Sequence, residues 1–238
     1  MSQFQSVFCR KEMKYLLNRQ QYEGLQQRLA AYLEPDAFPE SRISNLYYDT
    51  PDFLLIRRSL DKPKYKEKLR LRCYQVPNEQ SPSFVEIKKK VGGMVYKRRE
   101  SLPYGKALRY LAGEGPGGDS QIFRELDSLL DFYQTLQPAM FLSYERLSLK
   151  GKEDPQLRMT FDHNILWRTH HLDLAQGTWG NALLAPDQKL LEIKITNAMP
   201  LWLASALSEL HIYPTSFSKY GAAYQTYLTN PKEEKLYA

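Results

Sequence analysis

The sequence predicts an α+β fold: a closed, eight-stranded antiparallel β-barrel with helices packed on its outside. Three observations predict it. Apolar and charged residues alternate with period two in at least seven segments of the 238-residue chain. The charged face carries mostly one sign on strand after strand. The helical segments between these strands each have a single apolar stripe that needs a sheet to cover.

The first strand runs from about Val7 to Leu17, with Phe8, Arg10, Glu12 and Lys14 on one face and Cys9, Lys11, Met13 and Tyr15 on the other. Asn18 then caps a helix reaching about Leu33, in which Tyr22, Leu25, Leu29 and Leu33 recur at spacings of three and four. A second strand, Arg42 to Asp49, ends at the turn signal Asp49-Thr50-Pro51-Asp52. The third, Lys64 to Cys73, puts Lys64, Lys66, Lys68, Arg70 and Arg72 on one face and Tyr65, Leu69, Leu71 and Cys73 on the other. Ser83 to Lys90 aligns Glu86, Lys88 and Lys90 opposite Val85 and Ile87. A Gly92-Gly93 turn leads into Val95 to Leu102, with Lys97 and Arg99 in phase. Gly113 to Gly118 reads as a surface turn between helical patterns, the second of which spans Ser120 to Tyr133. Strands follow at Ala139 to Leu149 (Tyr144, Arg146), Leu157 to Trp167 (Arg158, Thr160, Asp162) and Lys189 to Thr196 (Glu192, Lys194). A helix from Pro200 to Leu210 comes after them. No break in composition divides the chain, so a single domain is expected, with its core at about residues 6–228.

Composition narrows the class. Apolar residues make up 42% and aromatic residues 13%, enough to support a buried core. No signal-peptide pattern opens the chain and no apolar run is long enough to span a bilayer, so a soluble, cytoplasmic protein is expected. Two cysteines, Cys9 and Cys73, give no disulfide framework or zinc spacing; they read as small core residues. The net charge of +6 is concentrated: Lys62 to Arg99 holds twelve basic and three acidic residues, which leaves the remainder at −3.

A single cationic strand face ordinarily looks at water. Basic residues placed opposite each other on several strands repel, so a repeated basic face is expected to surround an anion. A barrel of about eight strands has room for side chains or one slender ligand. Phosphate oxygens suit both arginine forks and lysine point charges. Glu12, Glu86 and Glu192 lie in phase with the cations and would repel a polyanion unless a divalent metal intervened. These features point to polyphosphate or a nucleoside triphosphate with a metal. Strict basic–apolar alternation, without a helix-turn-helix or an aromatic platform, argues against nucleic acid. His163, His170 and His171 lack a fourth ligand at a familiar spacing and do not read as a metal site. Trp167, Trp179 and Trp202 are expected to pack, and Lys89 and Arg98 to be solvated. PKEEKLYA reads as a frayed terminus.

The motifs RKEMKY, YYDTPDF, YKEKLRLRCY, FVEIKKK, KRR, SYER, RMTFD, LEIK and FSKY occur in this order between Arg10 and Tyr220. In that arrangement the chain resembles the polyphosphate polymerase domain of the vacuolar transporter chaperone (VTC) family, within the CYTH-like triphosphate tunnel metalloenzymes. The resemblance implies a tunnel of eight antiparallel strands and a reaction that moves the terminal phosphoryl group of ATP onto phosphate or a growing polyphosphate chain. It implies catalytic phosphate ligands at Lys14, Arg70, Arg72, Lys88, Lys97, Arg146 and Arg158. Tyr144, Ser218 and Lys219 take substrate-binding roles, and the in-phase lysines Lys68, Lys90 and Lys194 join them as candidates. Glu192 is the implied metal ligand for Mn²⁺ or Mg²⁺, with Glu12 as a second candidate. Arg10 stands where CYTH phosphatases typically carry the first glutamate of Glu-x-Glu-x-Lys, which favours the polymerase branch. The chain resembles a stand-alone, bacterial-type form, so a separate membrane protein is a candidate partner for product export. Hydrolysis of tripolyphosphate or nucleoside triphosphate, and non-catalytic polyphosphate binding, are the alternative readings.

Overall fold

The computed structural model describes residues 11–92, 94–196 and 198–229. The elements run in the order β1 (Lys11–Leu17), α1 (Arg19–Leu29), β2 (Leu33–Asp49), α2 (Leu54–Leu60), β3 (Tyr65–Tyr74), β4 (Pro82–Val91), β5 (Met94–Pro103), α3 (Tyr104–Leu111) and α4 (Gln121–Tyr133). There follow β6 (Gln137–Gly151), β7 (Arg158–Arg168), a 3₁₀ turn (Leu174–Gln176), β8 (Asn181–Ala182), β9 (Lys189–Ile195), α5 (Leu201–Glu209) and α6 (Lys219–Thr229). Cys9, Arg10 and the PKEEKLYA tail lie outside the described residues.

Hydrogen bonding links the strands in the order β1-β9-β7-β6-β2-β3-β4-β5, with β8 on β7. The ladders β1/β9, β7/β9, β2/β3, β3/β4 and β4/β5 are antiparallel. The path itself holds the expected eight strands, with a two-residue ninth beside it, and among the described residues no pairing joins β1 to β5, so hydrogen bonding does not close the sheet. Period-two patterning sets the face of each strand, whereas closure depends on tilt and shear that the pattern does not encode.

The chain gathers into two compact units. The first comprises the described residues of Met1–Ser41, Glu145–Asn164 and Leu184–Phe217. Its core is made by the apolar faces of β1, β7 and β9 (Tyr15, Leu17, Met159, Phe161, Leu191, Ile193) under α1 and α5 (Leu25, Leu29, Leu203, Leu207). Asn18 starts α1 with a reciprocal cap: its Oδ1 accepts from Gln21 N at 2.8 Å, and its own N–H donates to Gln21 Oε1 at 3.1 Å. The helix stops at Leu29, short of the expected Leu33, which instead opens β2. Pro35 forces the preceding residue into extended backbone and cannot continue a helix.

The second unit comprises the described residues of Arg42–Tyr144, Ile165–Leu183 and Ser218–Ala238. Leu46, Tyr48, Leu69, Leu71, Cys73, Val85 and Ile87 form its sheet side, covered by Ala107, Tyr110, Phe123, Leu126 and Leu129 of α3 and α4. The turn before α4 is glycine-rich for a steric reason: a Cβ on Gly117 would collide with the Phe123 ring. Helix α3 is the helical pattern expected before the Gly113 turn, whereas α2 and α6 are not expected from the pattern. Helix α2 has only seven residues and follows Phe53 in the left-handed region at φ 59°. It is started by Asp49, whose Oδ1 accepts from Thr50 N and Leu55 N at 2.9 and 2.8 Å and whose Oδ2 accepts from Ile56 N at 3.0 Å. The Tyr220 hydroxyl donates to the same Oδ2 at 2.8 Å. Burial pushes the Asp49 carboxyl above its ordinary value, against these four bonds. No described helix is long and apolar enough to cross a membrane.

Candidate functional site

In the second unit, register places the cations of three strands in rows. Lys68 lies opposite Lys88, which lies opposite Lys97; Arg70 lies opposite Glu86, which lies opposite Arg99. Tyr47 and Asn45 of β2 extend two rows by lying opposite Arg70 and Arg72. Because Leu69, Leu71, Val85 and Ile87 are committed to the core beneath α3 and α4, alternation turns all of these polar side chains to the face away from those helices.

Glu86 is the hub of this face and is 1% exposed. Arg70 Nε donates to its Oε2 at 2.8 Å, and Arg70 Nη2 lies 2.7 Å from the same oxygen. Lys97 Nζ is 2.6 Å from Oε1, and Arg72 Nε is 3.7 Å from Oε2. Burial alone would raise the Glu86 pKa; Arg70, Arg72 and Lys97 overcome it and hold it at about 2. Lys97 is pushed down to about 8 by desolvation and by Arg72 and Arg70, against the pull of Glu86. With 40% of its side chain exposed, solvent moderates that shift. The guanidinium groups are also braced from the side. Arg70 Nη1 donates to Tyr47 Oη at 3.1 Å. Arg72 Nε and Nη2 donate to Asn45 Oδ1 and Tyr144 Oη at 2.9 and 3.2 Å. Lys68 donates to Ser218 Oγ at 3.0 Å, and Lys219 lies over the Tyr144 ring at 4.5 Å. Lys90 is exposed at the β4–β5 hairpin end.

In the first unit, β1, β9 and β7 align Lys14, Glu192 and Thr160 in one row, and Glu12, Lys194 and Arg158 in the next. Lys14 Nζ donates to the Phe217 carbonyl at 2.9 Å and lies 3.3 Å from Glu192 and 3.6 Å from Glu12. Glu192 Oε2 is 3.9 Å from both Arg146 and Lys194. Arg146 is clamped by the fully buried Asp162 through two parallel bonds, Nε to Oδ1 at 2.6 Å and Nη2 to Oδ2 at 2.8 Å. Arg158 is half exposed, with its nearest carboxylate, Asp36, 3.8 Å away.

The structure thus distributes the expected residues over both units: Glu12, Lys14, Arg146, Arg158, Glu192 and Lys194 in the first; Lys68, Arg70, Arg72, Lys88, Lys90, Lys97, Tyr144, Ser218 and Lys219 in the second. Two expectations change. Glu86 does not present an uncompensated charge to a ligand, because three cations already neutralise it. Trp179 is 40% exposed and not packed inside; it stacks on the Arg168 guanidinium at 4.4 Å. The polar braces Asn45, Tyr47 and Asp162 were not singled out. Asp162 was read in phase with Arg158, and its pairing with Arg146 across strands required the register. His163 Nε2 lies 3.3 Å from Glu145, and His170 and His171 pack against Trp179.

The VTC domain model matches residues 9–228. The chain belongs to the VTC domain family. No curated protein matches this VTC domain by sequence. Its fold is similar to that of a candidate adenylate cyclase from Bacillus halodurans, at 16% identity and a TM-score of 0.53, over 87% of this chain and 92% of that one. It is also similar to a candidate adenylyl cyclase from Hippeastrum, described as having a dominant triphosphatase activity, at 16% identity and a TM-score of 0.51, over 88% and 92%. Both likenesses are of fold.

Proteins of this fold family are generally dependent on a divalent metal. Among the described residues of this VTC domain, no three His, Cys, Asp or Glu side chains gather into one group. Glu12 and Glu192, both within reach of Lys14, offer hard carboxylate oxygens and nothing softer. One or two carboxylates completed by substrate phosphate oxygens is what Mg²⁺ accepts, and Mn²⁺ shares its preference for oxygen. The donor set fits such an ion.

Proposed function

We propose that this VTC domain is a metal-dependent polyphosphate polymerase, moving the terminal phosphoryl group of ATP onto phosphate or a growing polyphosphate chain. The observation that carries the reading is the clamp around Glu86. Arg70, Arg72 and Lys97 converge on one buried carboxylate, so a surplus of positive charge is fixed in place with only part of each guanidinium's five N–H donors engaged. Fixed donors that need no reorganisation are what phosphoryl transfer asks of a protein, since its catalysis rests on positioning and charge stabilisation.

In this reading Arg70 and Arg72 hold non-bridging phosphate oxygens, with Lys97, Lys88 and Lys68 adding point charges and Tyr144 a hydroxyl donor. Ser218 and Lys219 contact further phosphates. In the first unit Arg146, aimed by Asp162, and Lys14 bind phosphoryl oxygens, and Arg158, Lys194 and Lys90 add longer-range attraction. Glu192 and Glu12 would hold the divalent cation, which when bound supplies further neutralisation of phosphate charge. The acceptor oxygen attacks phosphorus in line, the bond to the bridging oxygen breaks, and ADP departs.

The carboxylates Glu86 and Asp162 are occupied in orienting cations, which supports transfer between polyanions over activation of water. The family match spans residues of both units, which supports treating the chain as one functional domain. Incubation with ATP and Mn²⁺ or Mg²⁺, followed by gel electrophoresis of the product, tests the proposal. Chains that lengthen with time are expected. Orthophosphate as the sole product would replace it with hydrolysis; binding that survives chelation without turnover would replace it with a binding module.

A further inference from the structure

The Thr160 hydroxyl is buried without a hydrogen-bond partner, and the residue as a whole is 8% exposed. Its neighbours in sequence, Met159 and Phe161, are fully committed to the core of the first unit. Alternation therefore turns Thr160 to the opposite face, together with Arg158 and Asp162. There it lies directly across from Glu192, which lies across from Lys14. Directly opposed residues in an antiparallel pair have Cβ atoms about 5 Å apart. That separation is too long to make a bond inevitable and short enough for one small ion or water to join the two side chains.

Nearly every buried hydroxyl in a folded protein is paired, because an unpaired one forfeits its hydration. The other polar groups of this face have answers: Asp162 has Arg146 in two parallel bonds, and Glu192 has Lys14 at 3.3 Å. Thr160 is thus a neutral oxygen held ready beside a carboxylate, and its nearest cross-strand neighbour is the residue that offers a divalent cation its most buried ligand. Hard cations take neutral hydroxyl oxygens together with carboxylates, and the groups that orient a metal ligand or its water affect affinity about as strongly as weak ligands do.

We infer that Thr160 supplies a hydroxyl oxygen to the divalent cation held at Glu192, directly or through one water. This rests on the metal role proposed for Glu192 and adds to it a ligand that the motif leaves unassigned.

The test is Mn²⁺ binding to the full chain in the presence of tripolyphosphate, which supplies the phosphate oxygens, followed by electron paramagnetic resonance of the ion against a protein-free tripolyphosphate control, in wild type, Thr160→Val, Thr160→Ser and Glu192→Gln. Valine keeps the shape and removes the hydroxyl; serine keeps the hydroxyl. Thr160→Val is expected to weaken Mn²⁺ binding about tenfold, with Thr160→Ser close to wild type. Thr160→Val should also melt no lower than wild type in chelator, because it removes an unpaired polar group from the metal-free state. Wild-type Mn²⁺ affinity in Thr160→Val, with binding lost in Glu192→Gln, would overturn the role of Thr160 alone. Unchanged binding in Glu192→Gln, or no binding in wild type, would overturn the metal reading itself. Thr160→Ala, checked by circular dichroism, serves if the valine chain does not fold.

Discussion

Replacing Glu86 with glutamine removes the one negative charge from a cluster of three cations while keeping the shape of the side chain. The fall of the Glu86 pKa from an ordinary 4.5 to about 2 corresponds to about 3 kcal/mol in favour of the ionised form in the folded state. The carboxylate is 1% exposed, so screening by solvent does little to reduce this figure. Losing one partner of a buried ion pair costs about 3–5 kcal/mol by an independent route, and the two agree. Glu86→Gln is therefore expected to lower the unfolding free energy by about 3 kcal/mol at pH 7. The pH dependence follows from the direction of the shift. The folded value lies below the unfolded one, so the contribution is complete above about 4.5 and fades as pH falls toward 2. Urea unfolding at pH 7 and pH 3 should show the gap between wild type and variant narrowing in acid. Tripolyphosphate should raise the melting temperature of the variant more than that of wild type, because the bound anion replaces the missing charge. Equal stability at pH 7, or parallel acid profiles, would refute the hub.

Two further outcomes are expected. Arg146→Ala should cost about 3–5 kcal/mol by removing the bidentate partner of the buried Asp162 carboxylate, and the double variant Arg146→Ala/Asp162→Ala should recover most of it; urea unfolding of both reads the difference. Tripolyphosphate affinity should decline as pH rises above about 8, because desolvation and the neighbouring arginines let Lys97 lose its charge below the ordinary lysine range, and Lys97→Arg should flatten that decline in calorimetric titrations at matched ionic strength.

The stability cost at Arg146 was not legible in the sequence. Read from alternation alone, Arg70 and Arg146 are ligand-facing cations whose removal leaves the fold intact; the structure shows that each anchors a buried carboxylate. Patterning exposed which face of each strand is apolar, and the cores under α3 and α4 and under α1 and α5 follow it residue by residue. It did not expose which carboxylate meets which cation, because alternation fixes the face of a side chain and not the register of one strand against the next: Arg146 and Asp162 are 16 positions apart on successive strands, and Arg70 and Glu86 likewise. Helix α2 escaped notice because seven residues make no periodic signal and its start depends on a side chain, Asp49, outside it. The long start of β2 was hidden because Leu33 continues the spacing of α1, and only Pro35 marks the change.

The grip of Asp49 reaches beyond the turn it organises. Its carboxylate accepts the Tyr220 hydroxyl, the Tyr220 ring stacks on Tyr47 at 4.5 Å, and Tyr47 accepts from Arg70. The first turn of the last described helix therefore steadies a guanidinium encoded 150 positions earlier. A chain cut before Tyr220 would carry every arginine of the second unit's cluster and still hold one of them loosely.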